Sequence, residues 1–305
     1  LAAVRESRDE TADRRLDYLG AAALTASLVA IVLALIEGNE WGWGSAAVIG
    51  LAVGGVALVA LFLVVESRVP APIVEFDFFR KRNFIGANIV ALIISFGMLG
   101  SFFFLAIYMQ DILGYSALEA GVRFLPTTVL IVIAAPVAGR VADKVGSRLP
   151  MTLGLAITAV ALFLFSRMDA STTYDDVLPG FLLLGLGIGL TMSPMSTAAM
   201  NAVDEDKAGV ASGTLQMFRM IGGTIGVAAT GAIFQDRLGV FDPAALATNP
   251  NGAAEFTDAL GAAMLMGAVL TAVGAVVAAL VISGRPKHQL SANTGPEMPH
   301  PRVAL

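Results

Sequence analysis

The sequence has no cysteine, and its only two histidines, His288 and His300, lie in the polar last stretch. Disulfides, thiolate chemistry and cysteine metal sites are thereby excluded. Charge is also scarce. Asp, Glu, Lys and Arg make up 14% of the 305 residues, against about a quarter in soluble domains. A net charge of −5, with no basic stripe interleaved with aromatics, excludes a nucleic-acid partner. No signal peptide is visible, because the first sixteen residues are polar and charged. The chain opens on Leu1 rather than Met, as expected of a piece of a longer protein.

What the sequence has in quantity is apolar length. Hydrophobic residues reach 56%. Spanning ~30 Å of hydrocarbon takes about 20 apolar residues in a helix, and eight such runs occur, at about 18–36, 44–65, 84–110, 119–142, 148–167, 177–200, 208–235 and 259–283. They lack the alternation of barrel strands, and only helices or closed barrels satisfy the backbone in lipid. The fold class is therefore an all-α polytopic membrane protein with eight transmembrane helices, its partner the lipid bilayer.

Lysine and arginine set the orientation. Alternate loops collect Arg5 to Arg15, Arg68 to Arg82, Arg140 to Arg148, Lys207 and Arg285 to Arg302, whereas the opposite side holds only Arg167 and Arg237. Both ends are expected in the cytoplasm, with the chain multi-pass in the plasma (inner) membrane. Arg123 and Arg219 remain within spans. No acid falls in the middle of a span, so the ionisable candidates at depth are arginines.

The segment 1–17 reads as a cytoplasmic linker, with Asp17 as an N-terminal cap. Trp41 and Trp43, in the outer loop after the first span, suit the interfacial belt. Residues 66–83, with Pro70, Pro72, Phe76, Phe78, Phe79 and a basic triplet, read as an amphipathic segment on the inner interface. In the third span, Asn88, Ser95, Phe102 and Met109 recur every seven residues, with Met98 beside them. That stripe suits either a pathway for greasy substrates or ordinary helix packing. Tyr108 and Gln110 lie near its outer end.

In the fourth span Arg123 is about one turn deep, able to snorkel outward or pair with Glu119, and Pro126 and Pro136 are natural bend points. The stretch GRVADKVGSR then carries Gly139, Arg140, Asp143, Lys144, Gly146 and Arg148. Gly139 permits close backbone approach, Gly146 supplies a turn, and Asp143 is expected just before the next helix, within reach of Arg140, Lys144 and Arg148. A charge cluster that forms and breaks would gate two helix groups.

In the sixth span Gly185 and Gly189 form a small-xxx-small packing surface, and Pro194 marks a kink. In the seventh, Arg219 lies 11 residues beyond Ala208, which at 1.5 Å per residue is ~16 Å, near the bilayer midplane. Ser212, Gln216, Arg219, Gly223, Gly226 and Thr230 share one polar and small face, with Gly222 beside it. Arg219 either meets substrate or braces neighbouring helices. An acidic outer loop over 236–258 follows, and 284–305 reads as a disordered cytoplasmic tail.

These residues resemble the C-terminal part of a major facilitator superfamily transporter, of the fourteen-span drug:proton antiporter branch. GRVADKVGSR is similar to the family's inner-loop signature at Gly139, Asp143, Lys144, Gly146 and Arg148, although Ser147 stands where a basic residue is common. QMFRMIGGTIG, Gln216 to Gly226, resembles the arginine and glycine pattern of the second bundle's fifth helix. The resemblance implies two central linker spans over 18–65 and a C-terminal six-helix bundle over 84–283, built from inverted three-helix repeats. It implies alternating access against an N-terminal six-helix bundle of the same polypeptide, with a small amphipathic substrate, no cofactor, and a proton gradient as energy source. Proton coupling needs a titrating carboxylate at depth, which this chain lacks, so the 305 residues alone are expected to transport nothing. An importer, a specific metabolite exporter or a non-transporting scaffold are the other readings. An intramembrane enzyme would require paired acids, a serine–lysine or histidine arrangement, or metal ligands at depth, and none is present.

Overall fold

Every expected apolar run is a helix, and eight helical spans long and apolar enough to cross a bilayer occur among the described residues. The computed structural model describes residues 18–66, 68, 76–204, 207–239, 249 and 251–283. The linker over 1–17 with its cap Asp17, the tail over 284–305, and Pro70 and Pro72 of the interfacial segment lie outside the described residues.

Helices α1 (Tyr18–Trp41) and α2 (Ala46–Glu66) form a hairpin. A 3-10 turn, Phe76–Arg80, leads into α3 (Arg82–Ile107), which closes in a π turn at Tyr108–Ile112. Helices α4 (Ala117–Arg123) and α5 (Leu125–Val145) together make the fourth span. Then come α6 (Arg148–Phe165), α7 (Tyr174–Met200), α8 (Ala208–Leu238) and α9 (Gly252–Val281).

Several helices outrun their apolar segments. The first span continues through Glu37 and Glu40 to Trp41, and α8 and α9 reach into the stretch read as the outer loop 236–258. Asp236, Arg237, Glu255 and Asp258 are exposed at these helix ends, where charge is hydrated and helical hydrogen bonding continues past the apolar run. The fourth span breaks at Phe124, whose N–H bonds to the carbonyls of Ala120 and Gly121. Pro126 explains the break: it has no N–H to offer the carbonyl of Val122 four residues back. Pro136, the other expected bend point, lies inside α5 without ending it.

The helix pairing has internal symmetry. The principal partners in the bundle are α3 with α8, α5 with α7, α6 with α7, α3 with α9, and α6 with α9. Exchanging α3 for α7, α5 for α8 and α6 for α9 turns each of these pairs into another member of the set or into itself, as two repeated three-helix units would require. Helix α1 meets this bundle along α8, and α2 rests chiefly on α1.

Small residues and self-satisfied hydroxyls make the close contacts possible. Gly154 and Gly187 bring α6 and α7 backbone to backbone. The buried hydroxyls of Thr158, Thr191 and Thr271 donate to carbonyls of their own helices, so they need no partner across an interface. Phe84, Ile94, Leu155, Leu162, Phe181 and Leu184 fill the space between.

Candidate functional site

Helices α3 and α8 run parallel and in register. A Cβ on Gly222 would meet the Leu92 backbone, one on Gly226 would meet the Phe96 backbone, and one on Gly100 would meet Thr230 Oγ1 at 2.7 Å. Each pair differs by the same 130 positions, so the register holds over two turns. Gly223 packs against the Leu99 side chain.

The register fixes the level of Arg219 along the bundle. It places Arg219 level with Ile89, seven residues along α3 from Arg82, the last of the basic triplet that opens that helix. Seven residues are about 10 Å, against the ~16 Å counted from Ala208. The first turn of the 31-residue α8 lies beyond the level of Arg82.

The single polar face read from Ser212 to Thr230 divides in two. Gly223, Gly226 and Thr230 are buried against α3, whereas Ser212 and Gln216 are exposed, with Met220 and Thr224 continuing the uncovered strip. Arg219 lies at the boundary. Its Nη1 donates to Gln216 Oε1 at 3.3 Å, and its Nε is buried without a hydrogen-bond partner. Among the described residues no carboxylate lies within 4.0 Å of it. The guanidinium is therefore held at the edge of an uncovered helix face with hydrogen-bonding capacity unspent.

The α3 stripe is less open than a pathway lining. Asn88 and Ser95 are 1% and 2% exposed. Asn88 donates to the Phe84 carbonyl, while its Oδ1 and the Ser95 hydroxyl find no partner. Met98 and Phe102 are partly buried, and Phe102 lies edge-on to Phe124 at 5.6 Å, at the break between α4 and α5. Phe124 in turn meets Phe181 of α7 at 5.1 Å, and Phe181 meets Phe165 of α6 at 5.2 Å.

Arg123 stands beside this aromatic chain. Its guanidinium lies 3.6 Å from the Tyr115 ring centroid and 5.4 Å from that of Tyr174. Its Nη1 donates to the backbone oxygen of Glu119 at 3.3 Å. Of the two roles read for Arg123, pairing with the Glu119 carboxylate is not formed, because that carboxylate closes a capping box with Ser116. The capping pattern Ser-x-x-Glu was legible in the sequence and would have predicted this outcome. Tyr108, at the C-terminal end of α3, is buried and donates to the Thr172 carbonyl at 2.9 Å, whereas Gln110 is exposed. In the same loop Asp169 accepts from the hydroxyls of Ser171 and Thr172 and from the Ser171 N–H, which hold its carboxyl below the usual aspartate range.

Towards the C-terminal end of α5, Gly139 faces Ser193 of α7, whose Oγ a Cβ would meet at 2.7 Å, and Gly146 ends α5 with φ +87°. Asp143 falls within the last turn of α5 rather than before α6, so the N-terminal charge effect on the following helix does not apply to it. Arg140, Asp143, Lys144 and Arg148 are exposed, and among the described residues no ion pair joins them. Gly185 lies against the Thr127 backbone, and Gly189 faces Ala134, which closes α7 on α5. No group of His, Asp or Glu among the described residues is arranged to hold a metal.

Comparisons with known proteins agree with this architecture. The sequence profile of the Major Facilitator Superfamily matches residues 9–227. The tetracenomycin C resistance and export protein of Streptomyces glaucescens is 30% identical over 239 residues, 78% of this chain and 44% of that protein. Multidrug transporter protein MdtP of Bacillus subtilis is 28% identical, over 77% of this chain and 43% of that protein. Multidrug resistance protein Stp of Mycobacterium tuberculosis is 32% identical, over 75% and 42%. The chain thus spans less than half the length of these curated relatives. The crystal structure of a bacterial homolog of the human lysosomal transporter Spinster, inward-facing and occupied, superposes with a TM-score of 0.57 at 17% identity, covering 86% of this chain and 67% of that one. That likeness concerns the fold.

Proposed function

The chain belongs to the Major Facilitator Superfamily, and from that premise we propose that it forms the C-terminal part of a secondary transporter exporting amphipathic small molecules by alternating access. The observation that carries this reading is Arg219 beside Gln216, on the strip of α8 that α3 leaves uncovered. A cation with free donors there gives a substrate a polar anchor, and Met220 along the same strip adapts to its apolar parts. The names of two of the relatives, which speak of resistance or export, support efflux over import.

In this reading the α1–α2 hairpin is the pair of central linker spans, α3 to α9 are the second bundle, and an N-terminal six-helix bundle of the same polypeptide covers the strip. Both ends of the chain face the cytoplasm of a bacterial inner membrane. The exposed charges Arg140, Asp143, Lys144 and Arg148 pair across to the first bundle when the inner side closes and release it when that side opens, biasing the two states. A proton gradient supplies the energy. Every Asp and Glu among the described residues lies in a loop or within about two turns of a helix end, so the carboxylate that titrates belongs to the first bundle.

The test is accumulation of a fluorescent amphipathic dye in cells expressing the full polypeptide. Wild type lowers accumulation, and Arg219→Ala at equal expression abolishes the effect. Unchanged accumulation with Arg219→Ala removes the anchor, and dye uptake driven inward supports an importer instead.

A further inference from the structure

Between the α1–α2 hairpin and the α3–α8 pair lies a cavity of about 430 Å³, a volume typical of small-molecule sites. Every lining side chain is apolar, among them Leu28 of α1, Phe62 of α2, Phe79, and Met217, Phe218 and Ile221 of α8. Such a cavity offers water no hydrogen-bond partner. By the α3–α8 register, Met217 is level with Ala87 and Ile225 with Ser95, five and thirteen residues above Arg82. The cavity therefore runs from about 8 to about 20 Å above the basic row, which is the depth of the acyl chains of the cytoplasmic leaflet.

Its inner rim is basic. Phe79 lies 6.0 Å from Phe218 at the cavity floor and is followed directly by Arg80, Lys81 and Arg82, all exposed. Lys207 reaches the same rim, with its Nζ 5.8 Å from the Phe78 ring. Among the acids at this end are Asp77, exposed and 3.4 Å from Arg80, which leaves Lys81 and Arg82 outside that ion pair, and Glu66, buried at the end of α2 away from solvent. A dry slot at acyl depth below a cationic rim fits an amphiphile with a negative head and an apolar tail.

We propose that this cavity is a binding site for one anionic phospholipid of the cytoplasmic leaflet, its acyl chain between the hairpin and α8 and its phosphate on Lys81 and Arg82. Bound there, the lipid joins the hairpin to the bundle along a seam that protein contacts leave open. The site depends on the chain spanning a membrane and not on what it transports, so its failure leaves the efflux reading intact.

Native mass spectrometry of the detergent-purified full polypeptide tests it, with phosphatidylglycerol and phosphatidylcholine of identical chains as probes. One phosphatidylglycerol is expected to remain bound under conditions that strip phosphatidylcholine. K81Q/R82Q, on exposed side chains, should weaken its retention about thirtyfold, and I221W, which fills the slot, should reduce binding of both lipids. Equal retention of the two lipids, or full retention in K81Q/R82Q, overturns the proposal. So does displacement by the transported dye without headgroup preference, which makes the cavity a substrate entry point.

Discussion

Gly226 of α8 lies so close to Phe96 of α3 that a single added methyl would meet the Phe96 carbonyl. The contact recurs one turn earlier at Gly222 and Leu92. A small residue here lets two backbones approach, which is how helices associate where no hydrophobic force separates protein from lipid.

Gly226→Leu should therefore push α3 and α8 apart. Overpacking a close contact costs roughly 1–3 kcal/mol, which outweighs the ~1 kcal/mol that replacing a helical glycine can return. Thermal denaturation in detergent should show a lower midpoint for Gly226→Leu. Gly213→Ala on the same helix, where a Cβ meets nothing within 4 Å, should equal or slightly exceed wild type.

Arg219→Ala should lower efflux at least tenfold, corresponding to about 1.4 kcal/mol of lost interaction, with folding unimpaired because among the described residues no carboxylate within 4.0 Å is left unpaired. Gln216→Ala should have a smaller effect, since Gln216 only orients the guanidinium through the 3.3 Å bond. Initial efflux rates at matched surface expression measure both. A substitution that instead lowers stability without changing efflux per folded molecule makes Arg219 a brace between helices.

Arg123 and Tyr115 should be energetically coupled. A guanidinium 3.6 Å from a ring centroid contributes about 0.5–2 kcal/mol. A cycle of Arg123→Leu, Tyr115→Leu and the double variant, followed by thermal denaturation, should give a double variant more stable than the sum of the single losses implies. Additivity contradicts the stacking.

The 166–173 loop should loosen in acid. Hydrogen bonds from Ser171 and Thr172 hold the folded carboxyl of Asp169 below its unfolded value. Its contribution is thus complete above the ordinary aspartate range and is lost as pH falls through the lower folded value. Limited proteolysis of the loop should accelerate on that acid side in wild type. In Asp169→Asn it should be faster at neutral pH and lose this pH dependence.

Sequence spacing carried the architecture further than the site. Length and hydropathy were enough for eight spans, because lipid leaves the backbone no alternative to helices. Helix ends were misplaced where charge was taken to stop a helix, as at Glu37, Asp236 and Glu255, since end charges sit in water and leave the hydrogen-bond ladder intact. The level of Arg219 along the bundle was not legible, because it depends on the register of α8 with its neighbours, which the Gly222–Leu92 and Gly226–Phe96 contacts supply. The stacking of Arg123 on Tyr115 and Tyr174 joins residues from two helices and a loop. Sequence spacing carries no signal of that meeting. The self-capping of Glu119 did have one, in Ser116-x-x-Glu119.

Transport in inside-out membrane vesicles carrying the full polypeptide tests the central claim most directly. With an imposed proton gradient, acid inside, an amphipathic dye should accumulate in the lumen, discharge when a protonophore is added, and fail to accumulate with Arg219→Ala. Dye accumulation that ignores the gradient, or movement out of the vesicle when the gradient is imposed, would contradict proton-coupled export.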